Sequence, residues 1–201
     1  KILGDTIPLV QLLLVRFVAQ MVLLWPIIWF SRLPVKLPRR LFWFMVLRTC
    51  LHMIGIAAMF TSLRYLPLAD AVAIAFVMPF IMLLLGKFYL DEEVGIHRLS
   101  ACVVGFIGTL FVIQPSFANV GWPALLPLLV AVVFALFMLV TRKVAKEIDA
   151  MNLQAQSGVI ATVLLILLIL FSRGTEFEML QIVAPNGFEW RLLIAIGVLG
   201  T

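Results

Sequence analysis

The stretch Ala161-Thr-Val-Leu-Leu-Ile-Leu-Leu-Ile-Leu-Phe171 decides what kind of protein this is. Every position except Thr162 is apolar, so nothing alternates. A strand of a membrane barrel would show segments of about 10 residues that alternate in and out. An apolar run can cross lipid only if its backbone N–H and C=O groups pair within the segment, as in a helix; a strand would leave an open edge. Composition extends this reading to the whole chain. Of 201 residues, 64% are hydrophobic and 12% charged, and mean hydropathy is +1.18. A soluble domain carries about 25% charged residues. The deficit excludes an ordinary water-soluble globule, a disordered chain and a disulfide scaffold. The expected fold class is all-α, a polytopic transmembrane helical bundle with room for roughly seven spans of about 20 residues.

Segment A runs from Pro8 to Phe30, interrupted by Gln11, Arg16 and Gln20. Segment B covers Leu41 to Leu63, C covers Pro67 to Leu90, and D covers Leu99 to Ile113, where Gln114-Pro115 is expected to end it. Segment E covers Trp122 to Val140, F covers Ala155 to Phe171, and G starts at Trp190. The linkers A–B, C–D and E–F would share one face of the membrane. They hold nine basic residues: Arg32, Lys36, Arg39, Arg40, Lys87, Arg98, Arg142, Lys143 and Lys146. The other face holds four: Lys1, Arg64, Arg173 and Arg191. Basic loops stay in the cytoplasm, and acidic residues count little in this rule. The three basic linkers are therefore expected inside. This asymmetry also accounts for the net charge of +5, which in a soluble protein would suggest nucleic acid; no nucleic-acid partner is expected here.

Cys50 and Cys102 both fall inside apolar stretches and read as small core residues. The chain starts at Lys1 and stops at Thr201, about a dozen residues into an apolar run that is too short to span. The expectation is a fragment of a longer protein, cut at both ends. An internal similarity points the same way. Phe30-Ser31-Arg32 leaves segment A and its linker re-enters at Arg40-Leu41; Phe171-Ser172-Arg173 leaves segment F and its linker re-enters at Arg191-Leu192. The first linker is basic and inside; the second carries Glu176, Glu178 and Glu189 and must lie outside. Two copies of one unit with opposite orientation would produce this; so would chance, over so few residues.

Arg16 and Arg48 lie within segments A and B. Burying an arginine at mid-helix costs at least about 2.5 kcal/mol, so such residues usually face a cavity or a partner. They would line an aqueous path and meet an anionic group on a substrate. Alternatively they snorkel or cap carbonyls, or pair with helices outside this chain. Gln20 lies one turn beyond Arg16 and joins the pathway candidates. His52 follows Arg48 by one turn and shares its face with Gly55 and Met59. It is a candidate proton relay, or else a neutral side chain bonded to a neighbouring helix. Pro79 interrupts segment C and leaves the carbonyl of Ala75 without its helical donor. Broken helices near the midplane are where transporters place ligands; the alternative is a simple kink. Glu92 is a candidate gate residue, or part of a solvated linker. Ala101, Gly105, Gly108 and Thr109 mark one face of segment D for close packing.

Enzyme signatures are absent: there is no HExxH, GxSxG, GxxxxGK[ST] or CxxC. No cofactor, metal site or catalytic residue is expected. Arg48, Ser62-Leu-Arg-Tyr-Leu-Pro-Leu-Ala-Asp-Ala71, Pro79, Leu90-Asp-Glu-Glu-Val94, Val104-Gly-Phe-Ile-Gly108 and Gln114-Pro115 together resemble an EamA-type module of the drug/metabolite transporter superfamily. The likeness is most specific from 48 to 116. It departs at Leu90-Asp91-Glu92, where the family usually has Leu-Gly-Glu. The resemblance implies ten helices in two inverted five-helix repeats, truncated here at both ends. Residues 1–116 would be the first repeat without its first helix, and 117–201 the start of the second. Members for S-adenosylmethionine uptake look closest in segment C, and the family's substrates include other metabolites and drugs.

The expected function is a secondary transporter of the bacterial inner membrane that moves a small metabolite or drug by alternating access. Its partners would be the small-molecule substrate, membrane lipid and, in a homodimer, a second copy. The alternative is a seven-helix receptor or sensor without transport activity, which the loop charges disfavour.

Overall fold

The computed structural model describes residues 7–30, 37–89, 95–171 and 185–199. Among these residues every regular element is helical: α1 (Leu9–Phe30), α2 (Arg39–Ser62), α3 (Leu68–Ala75), α4 (Met78–Tyr89), α5 (Ile96–Val120), a 3-10 turn (Trp122–Leu125), α6 (Leu126–Val144), α7 (Ala150–Phe171) and α8 (Gly187–Leu199). Among the described residues five segments are long and apolar enough to cross a membrane: Leu9–Phe30, Arg39–Ser62, Leu68–Tyr89, Trp122–Val144 and Ala150–Phe171. In α5 the apolar part is shorter, Leu99–Phe111. The all-α polytopic bundle expected from composition is what forms. Large apolar side chains lie outward, Phe171 at 85% exposure and Phe111 at 72%. Water would not tolerate so much exposed apolar area; lipid does.

Hydroxyls enter these helices by bonding back to their own backbone. Thr49 donates to Met45 O at 2.8 Å, Thr109 to Gly105 O at 3.0 Å and Thr162 to Gly158 O at 2.8 Å. No donor is left facing hydrocarbon at these positions, as lipid requires.

Two prolines expected to interrupt helices behave differently. Segment C breaks at Phe76 and Val77, where the amides tighten onto Ala73 O and Ile74 O at 3.3 and 3.2 Å. Pro79 then stands in the first turn of α4, where its missing N–H costs nothing. Pro115, by contrast, does not end its helix: α5 continues to Val120. This corrects the expected stop at Gln114-Pro115. Carrying on past Pro115 forfeits one hydrogen bond; stopping there would free several carbonyls at once, which is the larger cost in an apolar setting. The real stop is Gly121, whose φ of 72° few side chains adopt. α7 also begins earlier than expected, at Ala150, because Asp149 Oδ2 accepts the Met151 amide at 3.1 Å and caps it.

The chain forms two compact units, residues 1–50 with 144–201, and residues 51–143. In the first, α1 packs against both α7 and α8. The buried stripe of α1 is Val10, Leu13, Phe17 and Gln20, spaced three and four apart. α7 answers with small residues, Ala155, Gly158, Ala161 and Thr162, all buried, so the backbones approach closely. A Cβ on Gly197 of α8 would stand 2.7 Å from Ala19 Cβ, so glycine is required for that second contact too. In the second unit α5 packs on α3, α4 and the 3-10 turn. Leu66, Ala71 and Ala124 form its buried cluster, and Phe80 stacks on Phe106 at 5.1 Å.

Candidate functional site

Arg48 reaches the first unit's interior from the part of α2 that belongs to it. It is 4% exposed. Its Nη1 donates to Ser157 Oγ at 2.5 Å. Ser157 in turn donates to Leu153 O at 2.9 Å, one turn back along α7. That internal bond fixes the hydroxyl, so its lone pairs are presented to the guanidinium. Bonds to an ionised donor are about twice as strong as neutral ones, so this contact ties α2 to α7 firmly.

The same end of α7 carries more buried polarity. Gln156 Nε2 donates to Asn152 Oδ1 at 2.9 Å, and both side chains are buried. Gln20 of α1 is 1% exposed and its Nε2 donates to Gln154 O at 2.6 Å. Gln11 is also buried. A run of buried amides, a hydroxyl and a guanidinium inside helices otherwise made of leucine, valine and isoleucine is expensive and makes this part of the unit the candidate site. A groove of about 160 Å³ at the end of this unit, lined by Leu41, Glu147, Asp149 and Asn152 among others, has Asn152 on its wall. The polar interior and the groove therefore share a residue.

The remaining candidates fall elsewhere. Arg16 is half-buried on α1, one turn before Gln20. His52 belongs to the second unit, where its ring stacks on Phe137 with centroids 4.9 Å apart and meets Phe134 edge-on at 6.1 Å. Gly55, one turn on, lets Phe134 approach: a Cβ there would lie 2.7 Å from Phe134 Cε2. Pro79 is exposed at the α3–α4 break. Glu92 lies outside the described residues. The structure thus brings Gln20 and Arg48 into one unit with α7, and places His52 and Pro79 in the other.

Asn152, Gln156 and Ser157 were missed in the sequence. Ionisable groups stand out more in an apolar sequence, and Asn152 precedes the expected start of segment F at Ala155. The available signal was the pair Asn152 and Gln156, four apart and thus on one helical face, at the start of an otherwise apolar run. Among the described residues no group of three or more His, Cys, Asp or Glu could hold a metal ion.

Comparison with known proteins adds the following. The model of a family described as the EamA-like transporter family matches residues 1–114. A riboflavin transporter of Rhizobium johnstonii is 33% identical over 100 residues, 50% of this chain and 33% of that protein. A riboflavin transporter of Brucella anthropi is 30% identical over 152 residues, 76% of this chain and 52% of that protein. An S-adenosylmethionine uptake transporter of Rickettsia prowazekii is 23% identical over 202 aligned positions, 100% of this chain and 65% of that protein. The chain therefore spans between 33% and 65% of the length of these relatives. No solved structure matches it.

Proposed function

The chain belongs to the EamA-like transporter family, and from that premise we propose that it moves a small polar metabolite across the inner membrane by alternating access. It is an integral membrane protein of a transporter family, and not an enzyme. Bacterial relatives and an all-helical bundle favour the inner membrane, since outer-membrane proteins are barrels. The similarity of Phe30-Ser31-Arg32 to Phe171-Ser172-Arg173 supports two inverted repeats, residues 1–116 and 117–201, one rocking against the other.

The observation that carries the reading is Arg48, 4% exposed and hydrogen-bonded to Ser157 between membrane-spanning helices. A static structural role does not need a permanent charge at that depth. A carrier does need a strong donor for the oxygen atoms of a polar solute. Asn152 and Gln156 supply further donors and acceptors in the same unit, on α7. Riboflavin and S-adenosylmethionine, named by the relatives, are both planar heterocycles bearing hydroxylated chains or rings. A hydrogen-bonding lining suits that class, and these two are the solutes to try first.

The test is uptake of radiolabelled riboflavin and S-adenosylmethionine by proteoliposomes of the full-length protein. Wild type is expected to concentrate one of them, Arg48→Ala to lose at least tenfold in Vmax/KM, and Arg48→Lys to recover part of it. Arg48→Ala transporting as well as wild type would remove Arg48 from the pathway. Failure to bind or move any metabolite would overturn the function itself.

A further inference from the structure

We propose that Gln20 and Gly158 are positioning residues that set the rotation of α7, so that Ser157 faces Arg48. The proposal rests on the reading of Arg48 and Ser157 as part of the substrate path, and it reassigns Gln20, which sequence reasoning placed on that path.

The two residues act on one rung of the helix. In α7 the Gly158 amide donates to the carbonyl of Gln154, four residues back. That oxygen keeps a second lone pair, and Gln20 Nε2 donates to it at 2.6 Å. The approach is open because residue 158 has no side chain. A Cβ there would stand 3.3 Å from Met21 N, 3.4 Å from Phe17 O and 3.5 Å from Gln20 Cγ. The nearest neighbour is backbone of α1, so a methyl group requires the helices to give by a few tenths of an ångström.

The neighbouring position carries the consequence. Ser157 and Gly158 point about 100° apart around α7, so the helix that meets α1 through Gly158 meets α2 through Ser157. The Ser157 hydroxyl is already held by Leu153 O at 2.9 Å. What remains free is the placement of α7 itself. Apolar contacts alone would let it slide, because leucine meets leucine and lipid about equally well. A buried amide bonded to one particular carbonyl gives it a stop. A turn of α7 that breaks the Gln20 bond therefore also carries Ser157 away from Arg48.

The experiment uses the full-length protein with every native cysteine, Cys50 and Cys102 included, replaced by alanine and Ser157→Cys introduced as a reporter. Position 157 is 2% exposed, so a permeant maleimide should label it slowly. Gln20→Met keeps length and volume but removes the donor; Gly158→Ala adds the methyl. Gln20→Met is expected to speed labelling about threefold, the factor for losing one interhelical bond in a membrane, and Gly158→Ala at least as much. An unchanged rate in Gln20→Met overturns the proposal, and that variant keeps the test open if Gly158→Ala does not fold. Uptake KM is the second readout, with Ser157 restored. Gln20→Met and Ser157→Ala should raise it equally, and the double variant should be no worse than either. Full additivity would mean that Gln20 acts elsewhere and would sink the proposal. Faster labelling with uptake untouched by Ser157→Ala would uphold the positioning role and refute instead the placing of Ser157 on the substrate path.

Discussion

Three glycines allow the packing argument to be checked with one substitution. A Cβ at Gly55 would lie 2.7 Å from Phe134 Cε2, 2.9 Å from Cδ2 and 3.3 Å from Cζ. Cβ atoms in real proteins do not sit below 3.0 Å, so the ring or the helix must move. The ring is hemmed in: Phe134 meets His52 at 6.1 Å and Phe137 at 5.9 Å, both edge-on. A Cβ at Gly105 or Gly108 of α5 would meet nothing within 4 Å among the described residues. All three positions are helical, so replacing glycine by alanine gains roughly the same backbone preference, about 1 kcal/mol, at each. That gain cancels in a comparison. The difference left between Gly55→Ala and Gly105→Ala is the overpacking cost alone, about 1–3 kcal/mol. For a chain of this size 1 kcal/mol is worth about 2–4 °C. Gly55→Ala should therefore melt roughly 2–12 °C below Gly105→Ala in the same detergent at the same scan rate. Measured against Phe134→Leu alone, adding Gly55→Ala should cost much less than it does in the wild type, because the obstructing ring atoms are gone. The reasoning is refuted if Gly55→Ala melts with or above Gly105→Ala.

Other consequences are simpler to state. Gly121→Ala forces a side chain onto φ 72° and ψ −141° at the end of α5, a region open almost only to glycine; a cost of about 1–3 kcal/mol should appear as a lowered Tm. Asp149→Ala removes the acceptor of the Met151 amide and should cost about 1 kcal/mol, while Asp149→Asn should retain most of it. Cysteines replacing Arg40 and Lys143 should react with a membrane-impermeant reagent only when the cytoplasmic side is open, and one replacing Arg64 only from outside. Labelling of Arg40→Cys and Lys143→Cys from opposite sides would contradict the loop-charge argument.

The helices could be read from the chain because lipid leaves an apolar segment no other way to pair its backbone. Their ends could not, because each is decided by a local competition that composition does not report. Pro79 and Pro115 show this. Both sit in apolar helical sequence, yet one follows a break and the other is traversed. At Pro79 the break falls two residues earlier, so that the proline occupies a first turn. At Pro115 a glycine six residues on offers a better terminus, with the Gly121 amide donating to Phe117 O at 2.8 Å. The choice depends on where the nearest low-cost stop lies, which a proline by itself does not indicate.

The candidate site was half legible for a related reason. Charge in an apolar helix is conspicuous, and Arg48 stood out for that. Its partner Ser157 did not, because a serine that bonds its own helix crosses lipid at little cost and leaves no compositional trace. Only tertiary packing distinguishes Ser157, whose hydroxyl also accepts from Arg48 at 2.5 Å, from Thr162, whose hydroxyl bonds Gly158 O at 2.8 Å. Gln20 reverses the case. It was conspicuous as an amide among aliphatic residues and was read as facing a solute. In the fold one of its two N–H donors goes to the backbone of α7 at 2.6 Å. A polar side chain in a membrane helix thus signals that a bond is made, and only the packing around it, here Gly158 against α1, tells which helix offers an acceptor.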